Sequence, residues 1–166
     1  MLGEFATVPT PMGPFTVLAS DDAVLTSGWT DTVDDLLPLV RPSLRPAAPR
    51  QVADLGEISK AVLAYLDGDL HAPDAIEVRQ SGGEFLDQAW RTLREVRPGE
   101  PVTYTELAAL AGRPAAVRAA AQACARNAAA LYVPCHRVIR IGGALGGFRW
   151  GLPVKRWLLD HEAVAP

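Results

Sequence analysis

The chain has 166 residues, of which 49% are apolar and 21% charged, a balance that excludes an intrinsically disordered polymer and allows one ordinary domain or two small ones. No stretch approaches the roughly 20 continuous apolar residues of a membrane span, and the opening MLGEFATVPTPMGPF lacks the basic start and apolar run of a signal peptide, so a cytoplasmic protein with no membrane partner is expected. The net charge of −3 hides an asymmetry: residues 1–82 carry twelve acidic and five basic side chains, residues 83–166 seven and eleven. A basic half is the footprint of a nucleic-acid surface, although scattered solvated arginines give the same count.

Phe5–Val8 and Phe15–Ala19 flank the turn-forming PTPMGP, and Val24–Trp29 reads as a third strand. Residues 38–50 hold four prolines and exclude regular helix or central strand. DLGEISKAVLAYLDG then reads as a helix with Asp54 as N-cap, Leu55, Ile58, Val62 and Leu66 on one face, and Gly68 as the stop. Residues 1–80 therefore form a small strand-and-helix subdomain without a polar cluster that suggests chemistry.

Ser81-Gly82-Gly83 marks a boundary, and residues 81–166 form the second domain. A helix runs from Glu84 to about Arg97 with Phe85, Ala89, Leu93 and Val96 on its inner stripe, ended by Pro98-Gly99. Thr103 with Glu106 is a capping-box pattern opening a helix over Glu106–Leu110. Gly112 can end it, and Pro114 suits the first turn of another helix reaching about Arg126. Two short helices about a glycine turn match either a helix-turn-helix or a plain helical hairpin. The second is thin, with seven alanines in PAAVRAAAQACA, and carries Arg118. VIRIGGALGGF predicts a short hairpin about Gly142-Gly143, and a last helix begins near Pro153. The fold class expected is α+β: a strand-and-helix subdomain, then a mainly helical domain with a helix-turn-helix and a hairpin wing.

The segment LYVPCHRVIR places Cys135 between Pro134 and His136. Four readings are open: half of a disulfide with Cys124, a metal ligand, a buried inert thiol, or a nucleophile. The three histidines, His71, His136 and His161, are too scattered for a zinc site, and no metal or cofactor is expected. A nucleophile needs a base and a group that orients it. His136 is adjacent, but neighbours on a strand face opposite ways, so the Pro134 turn must break the strand if the two are to cooperate.

VPCHRV resembles the active-site signature of the O6-alkylguanine-DNA alkyltransferases, the methylated-DNA–protein-cysteine methyltransferases. The likeness extends upstream through FLDQAWRTLREVRPGEPVTYTELAALAG, Arg118 and Asn127, and downstream through the Gly-rich hairpin, FRWG, VKRWLL and His161-Glu162. About 85 residues match in order. The resemblance implies double-stranded DNA containing O6-alkylguanine as partner, with O4-alkylthymine as a further candidate, and a single, irreversible alkyl transfer to Cys135. It implies that His136 takes the thiol proton through a water, that Glu162 orients His136, that Asn127 braces the turn, and that Tyr104 serves the leaving guanine. Arg118 would fill the gap left by a flipped nucleotide, with Thr103, Ala115, Ala116 and Ala119 on the minor-groove face. Flipping is needed because the O6 substituent is unreachable inside the stack. Val138, Phe148, Arg149, Trp150 and Lys155 would line the substrate pocket. A monomer is expected, with cooperative loading on DNA left open. The rival reading is an alkyltransferase-like protein that binds lesions without transfer, but those proteins lack the acceptor cysteine. Two departures stand out: Phe148 where the family often has tyrosine, and Ala128 where it usually has proline.

Overall fold

The computed structural model describes residues 2–163, which divide into two units. One runs through Gln80 and takes back Ala128–Tyr132; the other holds Ser81–Asn127 and the chain from Val133 onward. The boundary falls at the Ser81-Gly82-Gly83 punctuation, but the five residues before the VPCHRV segment pack with the first unit, not the second.

In the first unit, PTPMGP closes an antiparallel pair between β1 (Glu4–Thr10) and β2 (Gly13–Ser20), in register from Glu4 opposite Ala19 to Thr10 opposite Gly13. β3 (Ala23–Gly28) pairs with β2 across a bulge at Leu18/Ala19. Two edge pairings escape sequence reading because each is two residues long: β4 (Arg50–Gln51) beside β1 and β5 (Glu77–Val78) beside β3, both parallel. Phe15, Leu18, Val24 and Leu25 are wholly inside, and residues 33–44 form three short 3₁₀ turns that bury Leu36 and Val40, the latter clustered with Leu18 and Leu25. Helix α1 spans Glu57–Leu66. Its N-cap is Gly56 at φ +64°, not Asp54, whose carboxylate instead accepts from the Gly56 N–H at 2.8 Å.

The returning segment is fastened to this unit by polar bonds. Ser27 N–H and Thr26 Oγ1 both donate to the Ala128 carbonyl (2.9 and 2.7 Å), and Ser27 Oγ donates to Ala130 O (2.7 Å). Tyr132, wholly buried, donates its hydroxyl to Ile58 O at 2.9 Å. Chain connectivity then places Cys135 three residues beyond that anchor.

In the second unit, α2 covers Glu84–Leu93, ending before the expected Arg97. Its inner face is Leu86, Ala89, Trp90 and Leu93; Phe85 is half-buried beneath the Arg113 guanidinium. Trp90 Nε1 donates to Ala123 O at 2.8 Å, which ties α2 to the end of α4 (Val117–Ala125). The capping box forms as read: Thr103 accepts from Glu106 N–H and Glu106 reaches back to Thr103 N–H. The helix it opens, α3, starts at Tyr104 and runs to Leu110. Gly112 takes the left-handed turn at φ +93°, so α3 and α4 form the expected helix-turn-helix, but Pro114 stays in the turn and α4 begins only at Val117. The predicted hairpin wing is a loop. β7 (Val138–Ile139) pairs in parallel with β6 (Val102–Thr103), and residues 144–148 form no strand, although Gly143 N–H closes the turn onto Arg140 O. Lysine-held carbonyls, described below, take the place of a second strand. Helix α5 covers Leu152–Ala163.

Candidate active site

Pro134, at φ −81° and ψ 64°, ends the extended run, and Cys135–Arg137 form one turn of 3₁₀ helix. This breaks the strand geometry that would separate Cys135 from His136. The turn is buried throughout: Cys135 is 9% exposed, His136 0% and Arg137 3%. Asn127, itself buried, donates its amide to Val133 O at 2.8 Å and hydrogen-bonds the Cys135 sulfur, so it braces the loop from both sides of Pro134.

His136 Nε2 lies 2.6 Å from Glu162 Oε2 on α5, and Nδ1 is buried with no hydrogen-bond partner. An ionised carboxylate only accepts, so Nε2 must carry the proton and Nδ1 keeps a free lone pair. Glu162 is not held by His136 alone. Arg137 Nε donates to Oε1 at 2.9 Å, its second amino group to Oε2 at 3.1 Å, and its third donor to Val96 O at 2.7 Å. Burial pushes the Glu162 carboxyl up, but contact with His136 and Arg137 more than offsets it and holds the group well below the usual carboxylate range. Burial pushes His136 down, and the pull of Glu162 does not restore it, so the imidazole is neutral at pH 7.

Burial likewise raises Cys135, against the lowering effects of the Asn127 bond and the Lys155 charge. The resting group is a thiol, and a thiolate forms only with a base at hand. Lys155, 0% exposed, donates to Val138 O (2.7 Å), Leu145 O and Gly147 O (3.3 Å), pinning the loop after β7. Tyr104 at the start of α3 is pushed up to about 12, chiefly by burial. Its hydroxyl lies against Gly146: a Cβ there would sit 2.8 Å from Oη, at a φ of +73° that only glycine adopts readily.

Hydrogen bonds thus pair Asn127 with Cys135 and Glu162 with His136, the two pairs meeting only through the adjacent backbone of the turn, and Tyr104, Val138 and Lys155 adjoin them. Phe148 and Trp150 are half-buried in the stretch before α5, while Arg149 is exposed and donates to Ala125 O at 2.6 Å. Arg118 is exposed on α4 with Ala119 half-buried beside it; Ala115 and Ala116 lie in the preceding turn, and Thr103 caps α3. Both cysteines are free thiols, and among the described residues no group of three His, Cys, Asp or Glu side chains converges as a metal site. Arg137 is the residue that sequence reading passed over. A charge inside an apolar string such as LYVPCHRVIR demands a buried partner, and that signal was available.

Comparison with known proteins adds an independent line. A domain model described as "6-O-methylguanine DNA methyltransferase, DNA binding domain" matches residues 84–164. The methylated-DNA–protein-cysteine methyltransferase of Salmonella typhimurium is 34% identical over 158 residues, covering 93% of this chain and 92% of that one. The bifunctional transcriptional activator/DNA repair enzyme Ada of Escherichia coli is 42% identical over 120 residues, 71% of this chain, but the match spans only 34% of its own length. Among solved structures, Mycobacterium tuberculosis OGT in complex with DNA aligns at a TM-score of 0.80 and 26% identity over 98% of this chain and 95% of that one.

Proposed function

Because the chain belongs to the methylated-DNA–protein-cysteine methyltransferase family, we propose that it repairs DNA by moving the alkyl group of O6-alkylguanine onto Cys135. The observation that carries this reading is a buried thiol on a 3₁₀ turn, followed directly by a neutral imidazole whose Nδ1 is bare and whose Nε2 is held by Glu162.

The chemistry follows from those groups. His136 Nδ1 takes the Cys135 proton through one bridging water, giving a thiolate only when a lesion is in place. The thiolate attacks the carbon on guanine O6, and a C–S bond forms as the C–O bond breaks with its electron pair leaving on guanine. The guanine anion, steadied by a hydrogen bond from Tyr104, takes a proton from solvent while protonated His136 returns one to it. The raised pKa of Tyr104 keeps its own proton on the phenol at pH 7. A thioether has no leaving route, so each molecule acts once. Asn127 holds the sulfur, and Lys155 holds the loop carbonyls of Leu145 and Gly147 as one wall of the pocket, with Val138, Phe148, Arg149 and Trp150 around it.

Double-stranded DNA fits the basic second half and the helix-turn-helix. The capped start of α3 at Thr103 and the small side chains Ala115, Ala116 and Ala119 allow close approach to the minor groove, and exposed Arg118 fills the stack once the nucleotide has flipped. The protein acts as a monomer in the cytoplasm, where Cys135 stays reduced; among the described residues no helix is long and apolar enough to cross a membrane. A lesion binder without transfer chemistry has no use for the thiol and its base. The test is a single-turnover reaction with a duplex holding one O6-methylguanine, digested and separated into nucleosides. The expected result is conversion to guanine, at most one lesion per chain. Lesion retained in full at excess protein refutes the reading.

A further inference from the structure

Arg137 is one of the largest polar investments in the second unit, yet no step above uses it. It is 3% exposed, and its three kinds of N–H reach three places: Glu162 Oε1, Glu162 Oε2 and the Val96 carbonyl beyond α2. Gly99, a few residues on, lies so close to α5 that a Cβ would meet the Glu162 carbonyl oxygen at 3.2 Å. The guanidinium therefore links the turn after α2, the cysteine turn and α5 at one carboxylate. Glu162 Oε2 receives both Arg137 and His136 Nε2, while Oε1 is taken by Arg137.

From this geometry we propose that Arg137 is a positioning residue for the transfer: by binding both oxygens of Glu162 it orients the carboxylate and shares its charge, and so holds His136 as the neutral tautomer with a bare Nδ1. The proposal rests on the chemistry of the preceding section but concerns a property of His136 that can be read without it. The charged groups facing His136 are Glu162 and Lys155 from α5 and Arg137 from its own turn, with the Cys135 thiol adjacent. Removing Arg137 takes away a positive charge that opposes imidazolium and leaves Glu162 to act on His136 alone. Both changes favour a protonated ring, which cannot accept the thiol proton. Lysine in the same place keeps a charge but cannot span both oxygens.

The test uses the whole protein and its Arg137→Ala and Arg137→Lys variants, with two readouts. Long-range ¹H–¹⁵N spectra identify the His136 tautomer and follow its titration, assigned by comparison with His136→Asn. Transfer rates are measured from pH 5 to 9, a span on either side of the ordinary histidine pKa. In the parent, His136 is expected as the Nε2–H form and stays neutral to lower pH than an ordinary histidine. In Arg137→Ala it titrates at higher pH, the acid limb of the rate profile moves up with it, and the neutral-pH rate falls on the order of 10²-fold, the size expected for a misplaced reacting group. Arg137→Lys returns the acid limb to the parental position but only part of the rate. If Arg137→Ala fails to fold, Arg137→Lys decides alone by that same split. An unchanged His136 tautomer and titration in Arg137→Ala, or a parental rate in Arg137→Lys, overturns the proposal. If the parent transfers no alkyl group, the spectra still judge Arg137, so the two readings fail separately.

Discussion

Replacing Glu162 with glutamine tests how dry the His136–Glu162–Arg137 cluster is. Three N–H groups converge on the two carboxylate oxygens, from His136 Nε2, Arg137 Nε and the second Arg137 amino group, at 2.6, 2.9 and 3.1 Å. Glutamine keeps the shape but turns one oxygen into an amide that can only donate, so at least one donor faces another and Arg137 loses its counter-charge. All three residues are at most 3% exposed, so water cannot take over. Removing one partner of a buried ion pair costs about 3–5 kcal/mol, out of a total stability of about 5–15 kcal/mol for a typical protein. At about 2–4 °C per kcal/mol for a chain of this size, the melting temperature falls by roughly 6–20 °C. Guanidinium unfolding of both proteins at pH 7 gives the difference directly. The pH dependence adds a sign. The folded pKa of Glu162 is depressed, so its contribution is fully present above the unfolded value of about 4.3 and is lost as pH falls toward the folded one. The gap between parent and variant must therefore narrow below about pH 4.3. A loss under about 1 kcal/mol at pH 7, typical of exposed pairs, refutes the view of this cluster as a desolvated network.

Other consequences follow from single contacts. Gly146→Ala places a Cβ against the Tyr104 hydroxyl at an unfavourable φ, and is expected to slow alkyl transfer at least about tenfold, equivalent to about 1.4 kcal/mol, with little change in duplex affinity. Equal rates in a quench-flow comparison would show that Tyr104 does not need that approach. Lys155→Met keeps the buried stem but leaves the carbonyls of Val138, Leu145 and Gly147 without their donor, at a cost of about 1–3 kcal/mol, and exposes the 140–147 loop to limited proteolysis. Thr103→Ala removes the cap of α3 and costs about 0.5–2 kcal/mol of stability by thermal unfolding. Arg118→Ala, an exposed site, leaves stability within about 0.5 kcal/mol while slowing transfer from duplex far more than from a free alkylated base.

Local patterns were legible wherever local physics decides. The PTPMGP turn, the three long strands and the Thr103–Glu106 capping box are short-range devices, and each forms where its residues stand. Reading failed where distant partners decide. β4 and β5 are two-residue edge pairings with no period to detect. Asp54 has the chemistry of an N-cap, but the turn through Gly56 spends its carboxylate on a loop N–H before the helix starts. Gly142-Gly143 does reverse the chain, yet Lys155 claims the carbonyls that a returning strand would use. At the site, Cys135, His136 and Glu162 came from a motif rather than from any periodicity, while the charge of Arg137 inside an apolar string signalled a buried partner without naming the two that lie 25 and 41 positions away.

The most direct test of the account is intact-protein mass spectrometry after incubation with a duplex containing one O6-methylguanine. The account predicts a single increment of one CH₂ group, mapped by peptide analysis to Cys135 and absent in Cys135→Ser. An unmodified protein that still binds the duplex, or a methyl group found on Cys124 instead, would contradict it.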